Sequence, residues 1–103
     1  MGAALLGKSG RVYTACNVEN AVYPLTICAE RAAVFKAVSE GEREFEAIAV
    51  VTSNGGSPCG SCRQVLAEFG PHIRVLIATP ERLIAEWRVC DLLPSAFGAR
   101  DLP

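Results

Sequence analysis

The sequence predicts an α/β fold, a sandwich of helices around one mixed sheet. Three observations carry that expectation. Ala47 to Val51 is a continuous apolar run, as in a sheet strand covered on both faces. Two helix-like segments flank it, one stopped by Gly41 and the other by Gly70-Pro71. Short apolar runs bounded by turn residues occupy both ends of the chain, where strands are therefore expected.

The elements follow in order. Ala3 to Leu6 reads as a strand, and Lys8-Ser9-Gly10 as a tight turn into a second strand, Arg11 to Cys16. Together they make an antiparallel hairpin. Asn17 to Thr26 is polar, irregular and broken by Pro24, hence a loop. A helix follows from Ile27 or Cys28 to Glu40, with Thr26 as the natural N-cap. Its apolar residues (Ala29, Ala32, Ala33, Val34, Phe35, Ala37, Val38) cover more than one stripe, which predicts a buried helix. The loop Thr52 to Pro58, with Asn54-Gly55-Gly56, leads into a second helix from Gly60 to Phe69. Ile73 to Ala78 is a strand, Pro80-Glu81-Arg82 a turn, Leu83 to Val89 a last strand, and Asp91 to Pro103 a tail. Each strand–helix–strand join should be a right-handed crossover, hence parallel.

Composition narrows the function. A chain of 103 residues suits one compact domain. At that size a core buries about two-thirds of the unfolded surface, so a metal or partner subunits would add stability. The formal net charge is -1 with scattered Lys and Arg, which argues against an electrostatically driven nucleic-acid binder or a polybasic membrane protein. Half of the residues are hydrophobic, too many for a disordered segment. No run of about 18 apolar residues exists to span a membrane. Met1 to Leu6 is too short for a signal peptide and lacks a basic leader. A cytoplasmic protein with reduced thiols is expected. The 5 cysteines are an odd number, which points away from a simple disulfide framework and toward thiol or metal chemistry.

Cys59-Gly60-Ser61-Cys62 has the C-x-x-C spacing that both zinc sites and thioredoxin-like redox pairs use. Cys28 opens the other predicted helix. Both segments thus place thiols at helix N-termini, where the dipole favours thiolate. Three thiolates with one open position match a catalytic zinc site more closely than a closed structural one. Glu30 lies two residues after Cys28 in an otherwise apolar helix. A charge there is costly without a task or a partner, though a carboxylate in a first helical turn also complements the dipole. Positions i and i+2 do not share a helix face, so Cys28 must sit at the very end of the helix for both residues to serve one site.

These motifs resemble those of the zinc-dependent nucleoside and nucleobase deaminases, through C-A-E and P-C-x-x-C. More specifically, the chain resembles the small, homotetrameric cytidine deaminases. The resemblance rests on C-N-V-E-N-A from Cys16, Tyr23, Thr26, C-A-E-R from Cys28, A-V-S-E-G from Ala37, P-C-G-S-C-R-Q from Pro58, L-L-P-S from Leu92, and Phe97-Gly98, all in order along the chain. It implies a three-layer α/β/α sandwich with a mixed five-stranded sheet. It implies that Cys28, Cys59 and Cys62 hold one zinc ion per subunit, while Glu30 moves the protons that turn cytidine into uridine and ammonia. By the same similarity Arg31 hydrogen-bonds ligand cysteines and offsets their charge. Arg63 is a second candidate for that role. Asn17 and Glu19 match ribose-binding residues, the Ala29 backbone N–H would bind the pyrimidine O2, and carbonyls near Ser57 and Cys59 would read the amino group. Phe97 matches an aromatic that enters a neighbouring subunit's site, and Tyr23 an interface or core residue.

The remaining cysteines, Cys16 and Cys90, read as buried thiols acting as small hydrophobes. His72 reads as a loop residue, Trp87 as a strand or interface aromatic, and Glu40 to Glu44 as a solvated helix end. One departure stands out. Family members normally begin with a helix and then V-G-A-A-L-L, whereas this chain opens Met1-Gly2-Ala3-Ala4-Leu5-Leu6. Residues 1–103 are thus expected to form a single domain without the family's N-terminal helix, from a misplaced start or a trimmed chain. Three other readings compete. A blasticidin-type deaminase shares C-A-E and P-C-G-x-C-R-Q, although C-N-V-E-N favours cytidine. A thiol redox protein would use Cys59 and Cys62, and a zinc-folded assembly module would have little activity.

Overall fold

The chain begins as a hairpin. In the computed structural model, which describes residues 1–103, β1 (Gly2–Gly7) pairs antiparallel with β2 (Val12–Cys16), Leu5 opposite Tyr13. α1 (Ala29–Ser39), β3 (Phe45–Val51), α2 (Gly60–Phe69), β4 (Arg74–Ala78), β5 (Leu83–Arg88) and the short α3 (Val89–Leu92) follow. The five strands form one mixed sheet in the order β2-β1-β3-β4-β5. Only β3 and β4 are parallel neighbours; β1 lies between β2 and β3, antiparallel to both. The α/β architecture and mixed five-stranded sheet agree with the sequence reading.

Both crossovers step the same way across the sheet, from β2 to β3 and from β3 to β4. Right-handed connections then put α1 and α2 on one face, where they touch each other. Strand alternation supplies the apolar surface for them. Leu5, Tyr13, Ile48, Val50, Val75 and Ile77 point to that face and form one cluster with Ala33, Val34, Ala37 and Leu66 from the helices. Ala4, Leu6, Ala47, Ala49 and Leu76 lie on the other face and are half-buried. Residues 47–51 are a strand as predicted, yet only the helix-covered face of β3 is fully buried.

Several boundaries move for physical reasons. Thr26 does not cap α1. It closes a 3-10 turn over Tyr23–Leu25 through its N–H to the Tyr23 carbonyl, and its hydroxyl accepts from Asn20 N–H. Cys28 is the N-cap instead. The last strand ends at Arg88, because Val89 enters α3 and the Asp91 carboxylate accepts from Arg88 N–H at 3.0 Å. α1 is not buried all round: Phe35 is 49% exposed. Cys16 and Cys90 are both exposed, contrary to the sequence reading. Cys16 falls on the outward face of the edge strand β2, opposite in alternation to buried Tyr13, and α3 buries only Val89.

The turn end of the hairpin is stapled to the end of α1. Glu42 accepts from Ser9 N–H at 3.0 Å, the Ser9 hydroxyl at 2.6 Å and the Tyr13 hydroxyl at 2.9 Å. Those bonds, first from the Ser9 hydroxyl, hold the Glu42 carboxyl below its ordinary pKa. A group depressed on folding stabilises above its ordinary range and loses that effect as pH falls through its folded-state value. Glu42→Gln is therefore expected to flatten the acid limb of a stability-versus-pH curve. Gly7 makes room for this staple, since a Cβ there would collide with the Glu42 carboxylate. Gly7→Ala should cost about 1–3 kcal/mol in urea unfolding. The cost should shrink in a Glu42→Ala background; an unchanged cost would show that the collision lies elsewhere.

Candidate active site

The carboxyl ends of β2 and β3 point the same way, and each feeds a helix whose first turn starts at that end of the sheet. In open α/β sheets this is where ligands bind. Cys28 is the N-cap of α1 and Cys59 the N-cap of α2, with Cys62 in the first turn of α2. Neither cap cysteine makes a side-chain capping bond. The sulfurs of Cys28, Cys59 and Cys62 instead lie within 4.8 Å of one another, with Cys59 and Cys62 3.6 Å apart. Zinc–sulfur bonds of about 2.3 Å in a tetrahedral set place sulfurs about 3.8 Å apart, so one ion fits this group. Cys28 at the very end of α1 meets the condition that lets Glu30 serve the same site.

Electrostatics at the cluster are uneven. Burial, then the charge of Glu30, push the Cys62 thiol above its ordinary pKa. Burial also raises Cys59, but hydrogen bonds from the Cys62 and Ser61 backbone and from neighbouring thiols outweigh it, and the net shift is downward. Arg31 donates to the Cys28 sulfur at 3.5 Å. Bonding to Cys28, then Cys62, raises the pKa of its guanidinium further above the ordinary value. Glu30 is only 1% exposed, and neither carboxylate oxygen has a hydrogen-bond partner. A buried carboxylate without a partner costs on the order of several kcal/mol. A buried carboxylate whose charge bears on Cys62, beside three clustered thiols, is a donor set that fits a divalent metal and its chemistry.

Residues 1–79 match the family model of the cytidine and deoxycytidylate deaminase zinc-binding region. Cytidine deaminase from Sporosarcina psychrophila is 50% identical over 105 residues, covering 99% of this chain and 77% of its own length. The chain belongs to the cytidine and deoxycytidylate deaminase family. The crystal structure of cytidine deaminase from Burkholderia pseudomallei superposes with a TM-score of 0.87 at 46% identity, over 93% of this chain and 80% of that one. Blasticidin-S deaminase from Bacillus cereus is less similar, 32% identical over 94% of this chain and 76% of its own.

The other expected residues of this deaminase fall in two places. Asn17 donates to Glu19 at 2.8 Å and accepts from the Met1 ammonium at 3.0 Å. A bridge between Val18 and Ile27 sets that pair beside the entry to α1. Ala29 is fully buried in the first turn, where backbone N–H groups have no intrahelical acceptor. Phe97 is 54% exposed and lines a tail cavity with Ala67, Pro71 and Cys90, which none of the three clustered cysteines lines. Tyr23 is 84% exposed, so it is not a core residue. Arg63 departs from expectation. It touches no sulfur and donates instead to the Pro58 carbonyl, the Leu92 carbonyl and the Ser57 hydroxyl. Sequence reasoning misses Gln64, whose side chain donates to the Phe97 carbonyl at 2.8 Å. Its one signal was its place in P-C-G-S-C-R-Q.

Proposed function

We propose that this chain hydrolytically deaminates cytidine and deoxycytidine to uridine and deoxyuridine with release of ammonia, a reaction of pyrimidine salvage. The observation that carries the reading is the buried Glu30 carboxylate, unpartnered by the chain and two residues after Cys28 of the cysteine cluster. A zinc ion held by Cys28, Cys59 and Cys62 supplies, when bound, the Lewis acidity that makes water a nucleophile near neutral pH. Glu30 takes a proton from water and delivers it to ring N3 as water adds at C4. It later helps protonate the amine, which leaves as ammonia. The burial of Glu30 suits both tasks, because it keeps bulk water from competing for the proton.

The remaining roles divide between orientation and charge. Asn17 and Glu19 hold the sugar hydroxyls, since a carboxamide and a carboxylate together match groups that both donate and accept. The Ala29 N–H holds the pyrimidine O2, and carbonyls near Ser57 and Cys59 read the amino group. Three thiolates on a divalent ion leave a formal charge of about -1, which Arg31 offsets through Cys28. Phe97, exposed on the tail, reaches a neighbouring subunit's site in a homotetramer. Residues 1–103 act as one domain in the cytoplasm, without a nucleic-acid or membrane partner; no helix is long and apolar enough to cross a membrane. The Asn17–Glu19 pair favours a nucleoside over blasticidin.

The test measures zinc per chain together with the fall in cytidine absorbance, with blasticidin S as a parallel substrate. One zinc per chain and turnover of cytidine or deoxycytidine are expected. Zinc without turnover of either nucleoside would defeat the enzyme reading, and turnover of blasticidin S alone would transfer it to that class.

A further inference from the structure

We infer that Arg63 is the positioning residue that aims Cys59, the most exposed of the three clustered cysteines, by clamping the loop that precedes it. The inference rests on the proposed zinc site. Residues 52–58 form no regular element; Gly56 N–H donates to the Thr52 hydroxyl and the Asn54 side-chain oxygen, which ties the first half of the loop but leaves Ser57 and Pro58 outside those bonds. The loop ends in Pro58, whose ring is buried and which, having no N–H, can be hydrogen-bonded only through its carbonyl. Arg63 holds that carbonyl with Nε at 2.7 Å and the Ser57 hydroxyl with Nη2 at 2.8 Å. Its main-chain N–H takes the next carbonyl, that of Cys59, at 3.0 Å. That main-chain bond is the one that opens α2, and the side chain extends the hold one carbonyl further back, to Pro58. Nη1 reaches the Leu92 carbonyl at 2.7 Å, which braces the clamp against α3.

All three side-chain acceptors are neutral oxygens in two separate segments. A planar fork of donors can satisfy them together, whereas a lysine ammonium on a flexible stem cannot span them. Charge alone would not need this geometry. The arrangement is one for orienting a ligand loop, and outer groups that orient ligands are commonly worth about 10–100-fold in metal affinity.

The experiment follows zinc release from the loaded protein to a chromophoric chelator in excess, with folding checked by circular dichroism. Arg63→Ala and Arg63→Lys are both expected to release zinc at least about tenfold faster than the parent. Ser57→Ala, at an exposed position, should speed release a few-fold, and Gln64→Ala, which frees only the tail, should leave it unchanged. A folded Arg63→Ala protein with the parent release rate overturns the inference. So does full recovery in Arg63→Lys, which would make charge the cause, or release from Gln64→Ala as fast as from Arg63→Ala, which would make the tail the cause. If Arg63→Ala does not fold, parent rates in both Ser57→Ala and Arg63→Lys overturn it. Release is read without substrate, so a protein that binds zinc but deaminates nothing still tests the clamp.

Discussion

Glu30→Gln is expected to lower cytidine turnover by about 10²–10⁴-fold while zinc content stays at the parent level. Glutamine has nearly the same shape and can still hydrogen-bond, but it cannot carry a proton from one substrate atom to another. The loss should appear in kcat and kcat/KM together, because proton transfer is worth something only in the transition state. Stability should move the other way. Both carboxylate oxygens are buried without a hydrogen-bond partner from the chain, so exchanging the charge for an amide lowers the desolvation penalty. The metal-free variant is expected to melt at or above the metal-free parent. A thiol redox protein using Cys59 and Cys62 would show the opposite pattern of activity. Parent-level turnover in Glu30→Gln would end the proton-transfer assignment.

Cys62→Ala is expected to remove the zinc dependence of folding. Cys62 is fully buried in the first turn of α2 and shares its cluster with Cys28 on α1. A metal there joins the first turns of two helices. A ligand at 1,000 times its dissociation constant adds about 4 kcal/mol to stability. The parent should therefore melt several degrees higher with zinc than with a chelator, and Cys62→Ala should show one temperature for both. Affinity should fall by more than the about 10–100-fold typical of an outer partner, since a direct ligand is lost. Cys16→Ser and Cys90→Ser serve as controls. Both thiols are exposed and outside the cluster, so changes within about 0.5 kcal/mol and unchanged zinc content are expected. A zinc-raised melting temperature that survives Cys62→Ala would remove this cysteine from the metal site.

Local chemistry was readable where single residues announce it. The end of α2 follows from Gly70-Pro71, and Gly60–Phe69 is the span observed. The cysteine group was also readable, because few residue types bind zinc and both motifs sit at helix starts. Pairing was not. Nothing in the periodicity of Ala3 to Leu6 says that this strand takes the position between β2 and β3. Exposure of Cys16 and Cys90 follows from an edge strand and a four-residue helix, both tertiary outcomes. The contacts of Arg63 and Gln64 were hidden for a different reason. Their distant acceptors are the main-chain carbonyls of Leu92 and Phe97, and a carbonyl carries no signature in the sequence. The shift of the α1 cap came from a 3-10 turn that claims Thr26 first.

The position of β1 also sets the order in which the sheet can close. Leu5 meets Tyr13 across a tight hairpin, whereas its other neighbour, Ile48, lies beyond α1 in the chain, so that pairing closes the longer loop. The hairpin forms early because its loop is short, and until β3 arrives one edge of β1 is an unpaired apolar ladder. That interval is when two unfinished copies can join edge to edge, and aggregation during refolding should rise steeply with protein concentration. A variant that speeds α1 formation shortens the interval without touching the native contacts.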